Sequence, residues 1–378
     1  VFSVLLNVGA LIVCKLLAVR VSSTLLPLGM SFYIFKMVSY LADLYQGRLK
    51  KSPKFISAAA YFSMFPQITQ GPIMRYAEGG FSGERNAQGA LIRRYSWERF
   101  EDGVMSFAAG AAMKVLLADR IAILWNELSK IGYESISTPL AWMGAYGYSF
   151  RLYYDFWAYS LMAAGLGMML GFPFIRNFSH PYAAGSVSQF YRDWHRTLGA
   201  WFRDYVYFPL GGSRCKPGRQ FLNLMTVWLL TGFWHGGTLN FLLWGGGLGL
   251  LIVWEKLVLR GVMKKIPLLG RFHVLVLIPL SWVLFAISDL KELAVYFSRL
   301  FPFFGESGNV AAGDAVRYMK VYWPLFAASA LLAVPAVSNL ALRVRKSLPA
   351  RIALCAAFWY AVYYMANSGS NPFLYFQF

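Results

Sequence analysis

Apolar runs approaching the length of a bilayer crossing recur from one end of this chain to the other, separated by short basic clusters. A helix needs about 20 predominantly apolar residues to cross hydrocarbon, where unpaired backbone polar groups find no water and must bond within the segment. Candidate segments are Phe2–Val19, Leu25–Leu44, Val104–Leu124, Trp142–Leu170 (which can accommodate a break), Phe221–Trp234, Phe241–Trp254, His273–Ile287, Tyr322–Leu342 and Ile352–Met365. The pattern predicts an all-α polytopic membrane protein with about ten spanning or re-entrant helices and no soluble domain.

The charge pattern agrees. Only 14% of the 378 residues are charged, against about 25% in soluble domains. A net charge of +19 raises the question of nucleic acid, but the cations fall in clusters at Arg48–Lys54, Arg85–Arg99, Arg192–Arg219, Lys256–Arg271 and Arg343–Arg351. Such clustering between apolar runs is the mark of cytoplasmic loops, so membrane lipids are expected as partners and nucleic acid is not. Between the last two clusters lie the span near His273–Ile287, an outer loop through Gly305–Asp314 and the return span near Tyr322–Leu342. Even parity places both clusters in the cytoplasm. Cys14, Cys215 and Cys355 are widely separated, which fits neither a disulfide framework nor a zinc site; no metal site is expected. The chain opens at Val1 without an initiator Met or the basic start of a signal peptide, and its N-terminus is read as trimmed.

Ionisable side chains in so apolar a setting are costly and usually functional. Two of the four histidines, His195 and His235, stand in aromatic surroundings. His235 lies 16 residues beyond Arg219, roughly 24 Å along a helix, at the apex of a short excursion into the membrane or near its outer boundary. Gly236, Gly237 and Gly245–Gly247 fit close packing around a cavity there. Desolvation favours the neutral imidazole, which is the form a general base requires; the plainer reading is a histidine bonding a carbonyl at a helix break. For His195 three roles stay open: assisting catalysis, keeping the site polar, or anchoring a helix.

Gln189–Tyr205, within a motif spanning 186–215, reads as one interfacial or re-entrant helix. Phe190, Trp194, Leu198, Trp201 and Tyr205 share a face, with Arg192, Arg196 and Arg203 grouped almost opposite. Arg151 and Asp155, at i and i+4, read as a mutually neutralising pair, and Lys114 and Asp119 as the end of a span. Met64–Tyr76, MFPQITQGPIMRY, reads as a broken helix or re-entrant turn that leaves Arg75 available to an anionic headgroup or phosphate. No P-loop, GxSxG elbow or HExxH motif is present.

Taken together, the motifs resemble the membrane-bound O-acyltransferase superfamily, and within it the bacterial branch that O-acetylates alginate. The residues that carry the resemblance are Leu26–Tyr45, Phe65–Tyr76, YYDFWAYS at Tyr153–Ser160, NFSHPY at Asn177–Tyr182, Trp194–Gly212, GFWHGG at Gly232–Gly237 and the terminal Asn371–Phe378. The resemblance implies a single transmembrane domain over 1–378, with further N-terminal spans preceding it. It also implies a ring of tilted helices around a central tunnel, with His235 catalytic and His195 as the second family position. The chain departs from the family pattern at Leu161, where Asp is usual, at Asp193, and at Leu248–Gly249, where an HG pair is usual.

On that resemblance the chain is expected to be an O-acyltransferase of the bacterial inner membrane. It would move an acyl group, acetyl in this branch, from a cytoplasmic thioester (acetyl-coenzyme A or acyl carrier protein) to hydroxyls of an extracytoplasmic polysaccharide or to a partner protein. His235 would be the general base, and no bound cofactor is expected. Arg75, Arg192, Arg196 and Trp234 are the candidates for holding the donor, and a periplasmic or extracellular acyltransferase is the expected partner. The rivals are a D-alanyl transferase of teichoic-acid type, a secondary transporter of a small anion, and a structural subunit of an export complex. A transporter would be expected to show internal repeats, and none stands out at an obvious period.

Overall fold

The computed structural model describes residues 2–22, 25–49, 53–81, 83–87, 89–301, 303 and 310–368. The terminal motif at Asn371–Phe378, residues 304–309 of the outer loop and residues 50–52 of the first basic cluster lie outside them.

The described backbone is helical, with no β-strand among the described residues. In chain order the helices are α1 (Phe2–Arg20), α2 (Met30–Tyr45), α3 (Phe55–Phe62), α4 (Tyr76–Gly79), α5 (Trp97–Met113), α6 (Asp119–Ile131), α7 (Thr138–Met169), α8 (Val187–Asp193) and α9 (Arg196–Phe202). There follow α10 (Pro217–His235), α11 (Leu239–Trp254), α12 (Arg260–Lys265), α13 (Pro267–Ala286), α14 (Leu290–Leu300), α15 (Asp314–Ala333), α16 (Pro335–Val344) and α17 (Leu348–Ser368). The protein is a multi-pass helical membrane protein. Three described helical stretches are long and apolar enough to cross a bilayer, Leu239–Leu259, Pro267–Ala286 and Leu348–Asn367, and α15 with α16 makes a fourth if that bent pair is one span.

Several elements differ from the periodicity reading for local reasons. The second helix begins at Met30 rather than Leu25, because Gly29 turns the chain at φ 74° against the backbone of Ile68; a Cβ there would lie 2.5 Å from the Ile68 carbonyl oxygen. The segment expected at Val104–Leu124 sits inside a longer helical path, α5 to α6, joined by a π-turn at Lys114–Ala118. That turn inserts a residue into the helical register. Lys114 is paired with Asp119 and, at 2.9 Å, with Asp155. The Arg151–Asp155 pair expected from their spacing therefore does not form: Asp155 takes Lys114, and Arg151 reaches Asn126 Oδ1 at 3.4 Å. Helix α7 runs through without the break its length allowed. The return span near Tyr322–Leu342 instead starts at Asp314 and bends by 79° where α15 gives way to α16, since Pro335 lacks an N–H and excludes the preceding residue from helical geometry.

The chain divides into two interleaved compact units. The first comprises Val1–Ala111, Trp157–Ser179 and Trp194–Leu230; the second comprises Ala112–Phe156, His180–Asp193 and Thr231–Phe378. In the first, Trp201 donates to Phe35 O at 3.0 Å and Tyr205 donates to Asp43 at 2.9 Å, so the segment after His195 is fastened to α2. In the second, Tyr296 donates to Ala141 O at 2.7 Å and Trp142 to Leu300 O at 3.0 Å, which ties α14 to α7. Asp289 caps α14, and the N–H groups of Glu292 and Lys291 hold its carboxyl below the usual range.

Candidate active site

The segment expected to be one helix is interrupted at His195, where the backbone turns left-handed at φ 43° and ψ 53°, and α9 of the first unit starts directly after it. No glycine or proline announces the turn. It is a strained conformation for a residue bearing a Cβ, and among the described residues only His180 shares a positive φ without being glycine. Asn177 holds the break together. Its carbonyl accepts Arg196 N–H at 2.9 Å, and its side-chain Oδ1 accepts the Thr197 hydroxyl at 3.0 Å, which makes it a remote cap for the free start of α9.

The proton positions follow from this network. Thr197 Oγ1 accepts the Ile73 N–H at 3.0 Å, so its own proton goes to Asn177 Oδ1. Asn177 Nδ2 donates to Ser160 Oγ at 3.0 Å, and the Thr197 N–H, which can only donate, reaches Oδ1 at 3.4 Å and so fixes the amide's orientation. Oδ1 is then an acceptor, and His195 Nδ1, 3.0 Å away, must be the donor. The ring is thereby set as the Nδ1–H tautomer with its lone pair on Nε2. His195 is 3% exposed and lies outside the apolar spans. Burial pushes its pKa down to about 3, so the imidazole is neutral near pH 7.

In the second unit His235 is the last residue of α10, and α11 starts at Leu239. The turn between them is as tight as the glycines allow. A Cβ on Gly232 would lie 2.4 Å from Phe241 O, and one on Gly236 would lie 2.3 Å from the Phe241 ring. The His235 ring meets Trp244 and Phe285 edge-on, each at 5.1 Å, with Phe241 stacked at 6.5 Å. Trp244 in turn stacks on Trp282 at 5.7 Å. Such edge-on aromatic contacts are worth about 0.5–1.5 kcal/mol each beyond burial. Asn240 Nδ2 donates to Phe285 O at 3.2 Å, which fastens the turn to α13. His235 itself is half-buried, whereas Trp234, Trp244 and Phe285 are buried.

The two histidines fall in different units, each with its own support. Arg192, at the end of α8, and Arg196, at the start of α9, are both exposed. Lys256 is close enough to Arg192 for the two charges to oppose each other. Arg75, expected to be available to an anion, is instead ion-paired with Asp204 and donates to Ala200 O at 3.3 Å. The re-entrant turn brings its guanidinium back onto the segment after His195, and so it is committed within the protein.

Two residues that sequence reasoning passed over matter here. Asn177 lay inside NFSHPY without a role, since an amide cap eighteen residues distant has no local signature. Glu255, which falls between the Phe241–Trp254 span and the Lys256–Arg271 cluster and belongs to neither, is buried. Its carboxylate accepts Val187 N at 2.6 Å and Ser188 N at 2.8 Å, anchoring the start of α8. A lone acid in WEKLVLR between apolar runs was the available signal. Among the described residues no group of His, Cys, Asp or Glu is arranged to hold a metal ion.

Comparison with known proteins places this geometry in context. The model of the membrane-bound O-acyltransferase family matches residues 44–298. The chain is 34% identical over 281 residues to the probable alginate O-acetylase AlgI of Pseudomonas fluorescens, covering 74% of this chain and 55% of that protein. It is 32% identical over 250 residues to the peptidoglycan O-acetyltransferase of Helicobacter pylori, covering 58% of this chain and 46% of that protein. It is 27% identical over 227 residues to the teichoic acid D-alanyltransferase of Bacillus subtilis, covering 58% and 56% respectively. The chain thus spans about half the length of the curated relatives it matches.

Proposed function

We propose that this chain, which belongs to the membrane-bound O-acyltransferase family and resembles its alginate O-acetylase branch, transfers an acetyl group from a cytoplasmic thioester to hydroxyls of an extracytoplasmic polysaccharide, directly or through a partner acyltransferase. The observation that carries the reading is the half-buried imidazole of His235, held by an aromatic cage at a turn between two helices.

In the step we propose, His235 takes the proton of an acceptor hydroxyl as its oxygen attacks the thioester carbonyl. The new C–O bond forms, the C–S bond breaks, and His235 returns the proton to the departing thiolate. His195, neutral and with its lone pair on Nε2, positions groups in the polar network around Asn177. Arg192, exposed at the end of α8 with Lys256 adding to the positive potential near it, is the phosphate contact for the donor in the second unit, and Arg196, exposed at the start of α9, is the candidate in the first. Trp234, its ring centroid 4.6 Å from that of His235, is the aromatic contact proposed for the donor beside the imidazole. A ring of helices around a tunnel open to both faces, in a bacterial inner membrane, is the architecture this step needs.

The test is transfer of labelled acetyl from acetyl-coenzyme A, or from an acyl carrier protein, by the full protein in lipid vesicles. His235→Ala is expected to lower turnover by about 100- to 10,000-fold, the span of a lost general base, with normal insertion into the membrane. A fully active His235→Ala protein would end the proposal. Transfer of D-alanyl rather than acetyl groups would move the chain toward its D-alanyltransferase relatives.

A further inference from the structure

In the second unit a cavity of about 520 Å³ opens between α6, residues 135–140 and the first turns of α15, within the range of about 300–1,000 Å³ usual for small-ligand sites. Ile136 and Leu140, both 1% exposed, supply apolar wall. Glu127, Arg317, Tyr318 and Tyr322 supply its chemistry. Tyr318 and Tyr322 stack along one face of α15, centroids 6.2 Å apart and planes 17° apart, and the Tyr322 hydroxyl lies 3.4 Å from Glu127 Oε2 as donor. Asp314 also lines the cavity, but its carboxylate is engaged by Ser137 N–H at 2.9 Å and the Ser137 hydroxyl at 2.6 Å, which makes it part of the frame.

This lining excludes several ligand classes. A fatty acyl chain would have to desolvate Glu127 and Arg317 with nothing to offer them. A polyanion would meet the Glu127 carboxylate, and a bare cation would meet Arg317. What fits is a neutral ligand with one apolar face, neighbouring hydroxyls to donate and ring oxygens to accept, and a pyranose has all three. The cavity is at the N-terminal end of α15, and the basic cluster Arg343–Arg351 follows its other end, so the charge pattern puts the cavity on the outer side.

We propose that this cavity is a docking site for a neutral hexose unit of the acceptor glycan, with vicinal hydroxyls donating to Glu127, Arg317 donating to the sugar's oxygens and the sugar's apolar face against Tyr318 and Tyr322. The assignment rests on the acyltransferase reading for its biological sense, but its binding chemistry stands apart from His235.

The test uses the full protein in nanodiscs and a panel of fluorescently labelled neutral tetrasaccharides of gluco, galacto and manno configuration, followed by anisotropy. At least one is expected to bind saturably and to be displaced by its unlabelled form, but not by a tetrauronate or by laurate. Glu127→Gln and Tyr318→Ala are each expected to weaken it about tenfold or more. Arg317→Gln, at an exposed position, serves as the variant least able to disturb folding, and each variant must melt as the parent does. Saturable binding to none of the panel, binding unchanged in all three variants, or displacement by laurate would overturn the proposal. His235→Ala is expected to bind the glycan normally. Intact binding with intact transfer in His235→Ala would sink the catalytic reading and leave this one standing.

Discussion

His195 occupies a left-handed backbone conformation, and for a residue other than glycine such strain costs on the order of 1–3 kcal/mol. The surroundings offset it through Asn177, which receives the ring, the Thr197 hydroxyl and the Arg196 N–H together. Asn177→Ala would leave buried donors without an acceptor, at a cost of about 1–3 kcal/mol, read as a lower melting midpoint of the purified protein; an unchanged midpoint would deny the network its structural role. Asn177→Asp has a different outcome. A carboxylate beside Nδ1 favours the imidazolium and so raises the His195 pKa from its depressed value. The neutral ring then persists only at higher pH, and the acid limb of the pH–rate profile is expected to move upward. A limb that stays put would show that turnover is indifferent to the charge of His195. His195 could be singled out from its residue type in an apolar setting, but its conformation could not, because DWHR contains no glycine to mark a left-handed turn. The turn is imposed by tertiary bonds to a distant amide.

At the level of elements, the pair α10 and α11 shows how glycines set the distance between helices. The Gly232 position faces the Phe241 carbonyl, a backbone atom with no room to retreat, whereas Gly236 faces the Phe241 ring. Gly232→Ala is therefore expected to be the more damaging of the two, at about 1–3 kcal/mol of overpacking, and to lower acyl transfer by prying α11 away from the His235 cage. Equal melting midpoints for the two alanine variants would contradict this account. The helix ends here were readable from the sequence to within a few residues, since GFWHGG interrupts two apolar runs at a fixed place. The junction of α8 with the end of α11 was not. It depends on Glu255, whose buried carboxylate caps α8 across 67 residues of chain. Glu255→Ala removes charge-assisted bonds to Val187, Ser188 and the Ser188 hydroxyl. It is expected to destabilise the protein more than Glu255→Gln, which keeps an acceptor oxygen. Limited proteolysis near residues 183–188 would report the difference.

For the whole molecule the decisive quantity is sidedness, because in the proposed reaction a cytosolic thioester and an external glycan can meet only if the spans alternate as the basic clusters imply. The apolar runs foretold a polytopic protein because bilayer thickness fixes helix length. They missed the 79° bend after α15, since one proline gives the same hydropathy profile whether a helix kinks or stops there. The bend does not alter parity. Starting from the basic stretch before α13, the chain rises through α13, turns at Ser288 and Asp289 into α14, and returns through α15 to the basic stretch ending at Arg351. Ser288 and Ser347 are both exposed, at opposite ends of this circuit. With Cys14, Cys215 and Cys355 replaced by serine, Ser288→Cys is expected to react with a membrane-impermeant maleimide on intact spheroplasts. Ser347→Cys is expected to react only after the membrane is opened. The reverse labelling would invert the topology and place the α15 cavity beside the cytosol, where it could not receive an external glycan. Labelling of both from one side would remove a span from the circuit, and with it the alternation that the proposed transfer requires.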